Sequence, residues 1–199
     1  MPDVRGALNR RPWIVAVVVL LGLGTAMWSV RNYIHHTLRP RQEAALQARI
    51  AEAVNRAQAR YQLGKYARAL EDYQHVLRTF DGDLEAEAKG RITVQIGLCN
   101  LGLAEQNGAE ATLNLALSAF REALAFLPVA EFPAAHADAQ NHLGDAYRVR
   151  FLSGLQAPHA DQAIEAYQAA LMLHVAAEDA VAQARTLNRI GNVYRDLHA

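Results

Sequence analysis

The chain has 199 residues, 52% of them apolar, with 20 basic and 20 acidic side chains and a single cysteine, Cys99. That composition describes one ordinary domain plus a further segment; it excludes wholesale disorder, and a lone cysteine excludes an intrachain disulfide framework and a cysteine-rich zinc module. The even balance conceals a polarity, because residues 1–41 hold six Arg against one Asp and leave 14 basic and 19 acidic side chains to residues 42–199, so the folded part lacks the basic patch of a nucleic-acid-binding surface.

From Trp13 to Val30 run 18 residues without a charge, which as a helix would span ~27 Å, near the hydrocarbon thickness of a bilayer. Arg10 and Arg11 precede the run, Arg31 follows it, and Trp13, Trp28 and Tyr33 fall where interfacial aromatics belong. A single-pass transmembrane helix over 13–34 is therefore expected, behind a basic tail at 1–12. A juxtamembrane hinge at 35–41 should follow, because Pro40 disfavours helix at Arg39. The alternative is a cleaved signal peptide, for which Gly24-Thr25-Ala26 would supply the small residues; the run is longer than the ~7–15 apolar residues such a peptide carries. Lys and Arg are evenly matched on the two flanks, so charge does not set the orientation. Retention of the short basic tail in the cytoplasm is the simpler insertion route and would put the rest of the chain outside.

Residues 42–199 repeat at one offset, 47 residues, without gaps. Ala69, Ala116 and Ala163 lead to Leu70, Leu117 and Ile164, then to Tyr73, Phe120 and Tyr167, then to Leu77, Leu124 and Leu171. A second set at the same offset holds Ala88, Ala135 and Ala182; Gly90, Ala137 and Ala184; Ile96, Leu143 and Ile190; and Gly97, Gly144 and Gly191. Apolar spacings of three and four make both sets helical, and a Gly inside a helix, which costs ~1 kcal/mol against Ala, marks a crossing too tight for a side chain. Gly and Pro breaks place helices near 42–62, 65–80, 84–106, 110–127, 132–152, 160–177 and 179–197, with Gly82 capping one helix and Asp83 opening the next.

Gly144 with Tyr147, followed by Ala163, Tyr167 and Ala170, resembles the tetratricopeptide repeat, as do Gly191 with Tyr194, and Ala116, Phe120, Ala123 and Pro128. The strings ADAQNHLGDAY and ARTLNRIGNVY are similar to longer variants of that repeat. The period differs from the family's ~34 residues, with about seven of the extra residues assigned within each pair and six between pairs, and Asn100 replaces the Tyr expected after Gly97. The resemblance implies an all-α fold, a right-handed solenoid of about three helical hairpins with a capping helix, following one N-terminal transmembrane helix.

In such repeats the first helix of each pair lines a concave groove that binds a peptide or a partner helix. Transferred here, the groove exposes Arg91, Val94 and Leu98, then Asp138, Asn141, Asp145 and Arg148, then Arg185, Asn188, Arg189, Asn192 and Arg195. Asn can donate and accept together, and the Arg stripe suits a carboxylate or acidic segment; the plain alternative is that these charges keep a terminal helix soluble. No catalytic constellation, metal site or cofactor motif is expected. His136 and His142 are six apart and off a shared helical face, Cys99 reads as a small core residue, and no phosphate loop, nucleophile elbow or zinc signature is present. The expected function is a membrane-anchored protein-binding scaffold or chaperone-like adaptor, with self-association through the open ends also open. Resemblance to small anchored repeat proteins of cell envelopes implies a bacterial inner membrane; the side stays open on charge, and the insertion route above leans to the periplasm. The alternatives are an accessory subunit of a membrane enzyme or translocation complex, and a soluble exported binder should the first segment be cleaved.

Overall fold

The computed structural model describes residues 27–29, 31–34, 36, 39–154 and 156–199. Among them the chain is all-helical, with no strand. The elements are α1 (Arg39–Gln62), α2 (Tyr66–Phe80), a 3-10 turn (Asp81–Asp83), α3 (Ala86–Asn107), α4 (Glu110–Phe126), α5 (Pro133–Gly154), α6 (Ala157–Ala176) and α7 (Ala180–Leu197). Residues Met1–Arg49 and Ile50–Ala199 are separate compact units.

The expected anchor over 13–34 lies mostly outside the described residues. Of its neighbourhood, Met27, Trp28, Tyr33 and Ile34 are described, and their side chains are exposed. Among the described residues no helix is long and apolar enough to cross a membrane. Two local expectations are corrected. Arg39 and Pro40 are helical rather than a break. Gly82 does not cap α2, because Asp81–Asp83 tightens into a 3-10 turn and α3 starts only at Ala86.

Left-handed residues end three other helices. Gly64 (φ 68°) follows α1, with its amide on the Tyr61 carbonyl and that of Lys65 on Arg60, and Gly108 (φ 65°) follows α3, with its amide on Ala104. The end of α6 uses the same arrangement with a non-glycine residue: Glu178 (φ 56°) donates to Val175 and Asp179 to His174. All three satisfy carbonyls that a helix end would otherwise leave open. Asp179 then opens α7, its carboxylate accepting from the Ala182 amide at 3.0 Å.

The repeated small residues have a direct packing reason. A Cβ added at Gly97 would stand 2.5 Å from the Phe120 ring, and one at Gly144 would stand 2.6 Å from the Tyr167 ring. Gly90 meets Leu127 in the same way and Gly102 meets Tyr66. So α3 packs on α4, and α5 on α6, with an aromatic ring against bare helix backbone, while Tyr66 ties α2 to α3. Each helix from α2 onward packs on its successor; α3 also meets α5, and α5 meets α7. The core follows from this order, running through Leu117, Phe120, Leu127, Leu143, Tyr147, Ile164, Tyr167 and Val193.

The first hairpin is shorter than the others. Tyr167 donates its hydroxyl to Asp145, the residue after Gly144, at 2.8 Å; Tyr73 donates to Gln58, the residue after the fully buried Ala57, also at 2.8 Å. Ala57 precedes Tyr73 by 16 residues, whereas Gly97 and Gly144 precede Phe120 and Tyr167 by 23. The 47-residue alignment therefore shifts by seven, two helical turns, in α1.

Candidate functional site

A cavity of about 300 Å³ opens between the first helices of the hairpins. α1 contributes Val54, Asn55 and Gln58, α3 contributes Arg91, Ile92, Val94 and Gln95, and α5 contributes Ala135, Asp138 and His142, with Tyr73 and Leu127 completing the lining. The lining mixes apolar side chains with amides, one Arg, one carboxylate and a histidine. Arg91 is paired with Glu87 on its own helix at 2.8 Å. Gln95 Oε1 is buried with no hydrogen-bond partner, and a buried acceptor left unmet costs about 1–3 kcal/mol. His142 stacks on Phe120, ring centroids 5.9 Å apart; its Nδ1 is 3.4 Å from Asp145 Oδ2, out of line for a hydrogen bond.

The residues singled out from the sequence fall into two groups. Asn141, Asp145, Arg148 and Arg189 are spent within the fold. Asn141 is buried: its Oδ1 accepts from Thr186 Oγ1 at 3.2 Å and its Nδ2 lies 3.2 Å from His174 Nε2. Asp145 accepts from Tyr167 and, at 3.1 Å, from Arg189 Nε. Burial pushes its carboxyl up, but His142, the Arg189 guanidinium and the Tyr167 hydroxyl outweigh that and hold it below the ordinary carboxylate range. Arg148 pairs with Asp196 at 2.6 Å. These contacts dock α7 on α5 and α6. Arg185, Asn188 and Arg195 are exposed and Asn192 is half-buried, and none of the four makes a side-chain hydrogen bond or ion pair that ties it to another element among the described residues.

Asn55, Gln58, Gln95 and His142 were not read from the sequence as groove residues. A signal existed for two of them: Gln95 and His142 precede Arg189 by two and one repeat lengths. Histidines elsewhere serve the fold, His136 Nδ1 standing 2.7 Å from the Leu127 carbonyl. Cys99 is buried, and burial pushes its thiol up to about 12. A second cavity, about 290 Å³, lies between the α3–α4 and α5–α6 turns, with the Arg150–Glu110 pair at 3.4 Å on its wall.

No protein-family model matches the chain, and no curated protein matches it in sequence.

Proposed function

We propose that the chain is a tetratricopeptide-like helical solenoid that binds a peptide or helix of another protein in the cavity between α1, α3 and α5, held at a membrane by residues 13–34. The observation that carries the reading is the lining itself. Apolar side chains beside the amides of Asn55, Gln58 and Gln95 suit a peptide backbone, because an amide side chain can both donate and accept. Neighbouring helices contribute equivalent positions, and hairpins stacked in sequence order are what an elongated repeat needs to bury its faces. The anchor rests on the 18 uncharged residues and their Arg and Trp flanks.

Site-specific photo-crosslinkers placed at Gln95 and Asp138, and in parallel at Glu165 and Gln168 on the exposed side of α6, test the binding surface. Discrete adducts from the first two positions alone are expected. Adducts from all four, or from none, would remove the groove from consideration. Reporters fused after Ala199, with a blot for residues 1–30, test anchoring: an uncleaved chain in the membrane fraction is expected, and a shortened soluble chain would replace the anchor with a signal peptide.

A further inference from the structure

Among the described residues, α7 repeats an interface of α5 without the helix that covers it there. In α5, Ala137, Asn141, Gly144 and Tyr147 are buried beneath its neighbours. One repeat later on α7, Ala184, Asn188, Gly191 and Tyr194 are exposed, with Tyr194 at 49% against 7% for Tyr147. Leu187 extends the same stripe and is 54% exposed. The opposite face shows no such difference: Thr186 and Val193 are as fully buried as Ala139 and Ala146. α7 is thus seated on its predecessors through that face, and the positions around Gly191 are open where α5 receives α6; Tyr147 is also covered from α4, its hydroxyl accepting from Arg121, where α6 offers Gln168 to Tyr194.

Gly191 marks the centre of that side. Gly97 and Gly144 each lie under an aromatic ring, whereas nothing stands within 4 Å of a Cβ built on Gly191. The residue after the small one tracks the chemistry of the ring above it. Gln58 and Asp145 accept hydroxyl hydrogen bonds from Tyr73 and Tyr167. Leu98, in the same position, accompanies Phe120, which has no hydroxyl to satisfy. In α7 that position is Asn192, an acceptor.

We propose that the exposed face of α7 is the docking site for an amphipathic helix of another protein, carrying a tyrosine that lies on Gly191 with its hydroxyl on Asn192. A small residue four positions before the tyrosine and a leucine or isoleucine three before it complete the pattern, as Ala163 and Ile164 do ahead of Tyr167. The helix carries acidic side chains, because Arg185 and Arg195 flank the stripe, exposed and in no ion pair among the described residues, while Arg189 and Asp196 are already neutralised by Asp145 and Arg148. A second copy of this chain fits less well. Its aromatic-bearing helices α2, α4 and α6 have Tyr73, Phe120 and Tyr167 fully buried, and α7 against α7 would set one cationic face on another. This surface is separate from the cavity between α1, α3 and α5 and does not depend on it.

The test uses the full chain in detergent and, as probe, a labelled synthetic peptide of the α6 sequence Ala157–Ala176, which already fills the equivalent seat on α5 and carries Asp161 and Glu165. Saturable binding by fluorescence anisotropy is expected, weakened at least about tenfold by Gly191→Leu or by replacing the peptide tyrosine with alanine, the scale of a lost aromatic anchor. Gly191→Leu has room for its side chain, and an unchanged helical circular dichroism and melting curve keep the comparison sound. Asn192→Leu should exchange the preference for tyrosine over phenylalanine, a factor of roughly 3–10 for one hydrogen bond. Absent binding, or binding unaffected by Gly191→Leu, overturns the proposal. So does a dimer in sedimentation that Gly191→Leu converts to monomer, which would give the face to a second copy.

Discussion

A carboxylate among packed helices persists only where its charge is met, and Asp145 meets three groups at once: the Tyr167 hydroxyl, the Arg189 guanidinium and the edge of His142. Because these hold its folded pKa below the ordinary 3.8, its contribution to stability is complete above that value and disappears as the pH falls through the lower folded value. Asp145→Asn should therefore lose about 1–2 kcal/mol at pH 7, the scale of a charge-assisted hydrogen bond. The deficit relative to wild type should shrink below pH 4, as urea melts between pH 3 and 7 would report. A pH-independent deficit would assign the loss to packing. Glu178 carries the opposite kind of strain, a side chain in the left-handed region where an L-residue costs roughly 1–2 kcal/mol. Glu178→Gly should raise stability by about 0.5–1 kcal/mol, seen as a higher urea midpoint with unchanged slope, once glycine's greater unfolded freedom is subtracted. Cys99 supplies a third residue-level expectation. With its thiol moved from 9.0 to about 12, thiolate at pH 8 falls roughly a thousandfold, and labelling by a thiol reagent should await unfolding.

At the scale of the element, one letter carries two meanings. Gly144→Ala would drive a methyl to 2.6 Å from the Tyr167 ring and should cost about 1–3 kcal/mol. Gly191→Ala meets open space and should stabilise α7 by up to ~1 kcal/mol through helix propensity alone; thermal melts of the two variants should shift in opposite directions. The sequence aligns these glycines at one offset, and periodicity locates the ends of α2 to α7 to within three residues, because buried stripes and left-handed caps are written in residue type. What it cannot express is whether a neighbour is present. Asn141 and Asn188 share a repeat position, yet one is buried against His174 and Thr186 and the other is open to solvent. Reading both as groove residues followed from the pattern and overlooked that polar side chains also join helices. The shorter first hairpin was hidden for a related reason: Ile50 and Ala57 are both buried, and only the Tyr73–Gln58 hydrogen bond identifies which of them matches Gly144.

For the compact unit as a whole, cohesion is uneven along the chain. α3 and α5 each bury long runs of side chains and backbone, and the aromatic-on-glycine crossings lock them to α4 and α6. α7 fully buries only Thr186 and Val193, packs Ile190 partly buried against the core, and is further joined by polar contacts, Arg189 to Asp145, Arg148 to Asp196, Thr186 to Asn141 and Gln183 to the His174 carbonyl. Net gains from such contacts are about 0.5–1.5 kcal/mol each, and more where charge is involved, so α7 should open before the rest, with little apolar area exposed in doing so. Native-state hydrogen exchange should then show α7 amides exchanging through an opening several kcal/mol below the global one, with α3 to α6 protected together. Arg148→Ala should lower protection in α7 and leave α3 unchanged, whereas equal protection throughout would make α7 part of a single cooperative unit. A helix seated on Gly191 would add to the small apolar contact that α7 makes, so the docking proposed above also predicts that the α6 peptide raises α7 protection selectively, by RT ln(1 + [L]/Kd) at each peptide concentration.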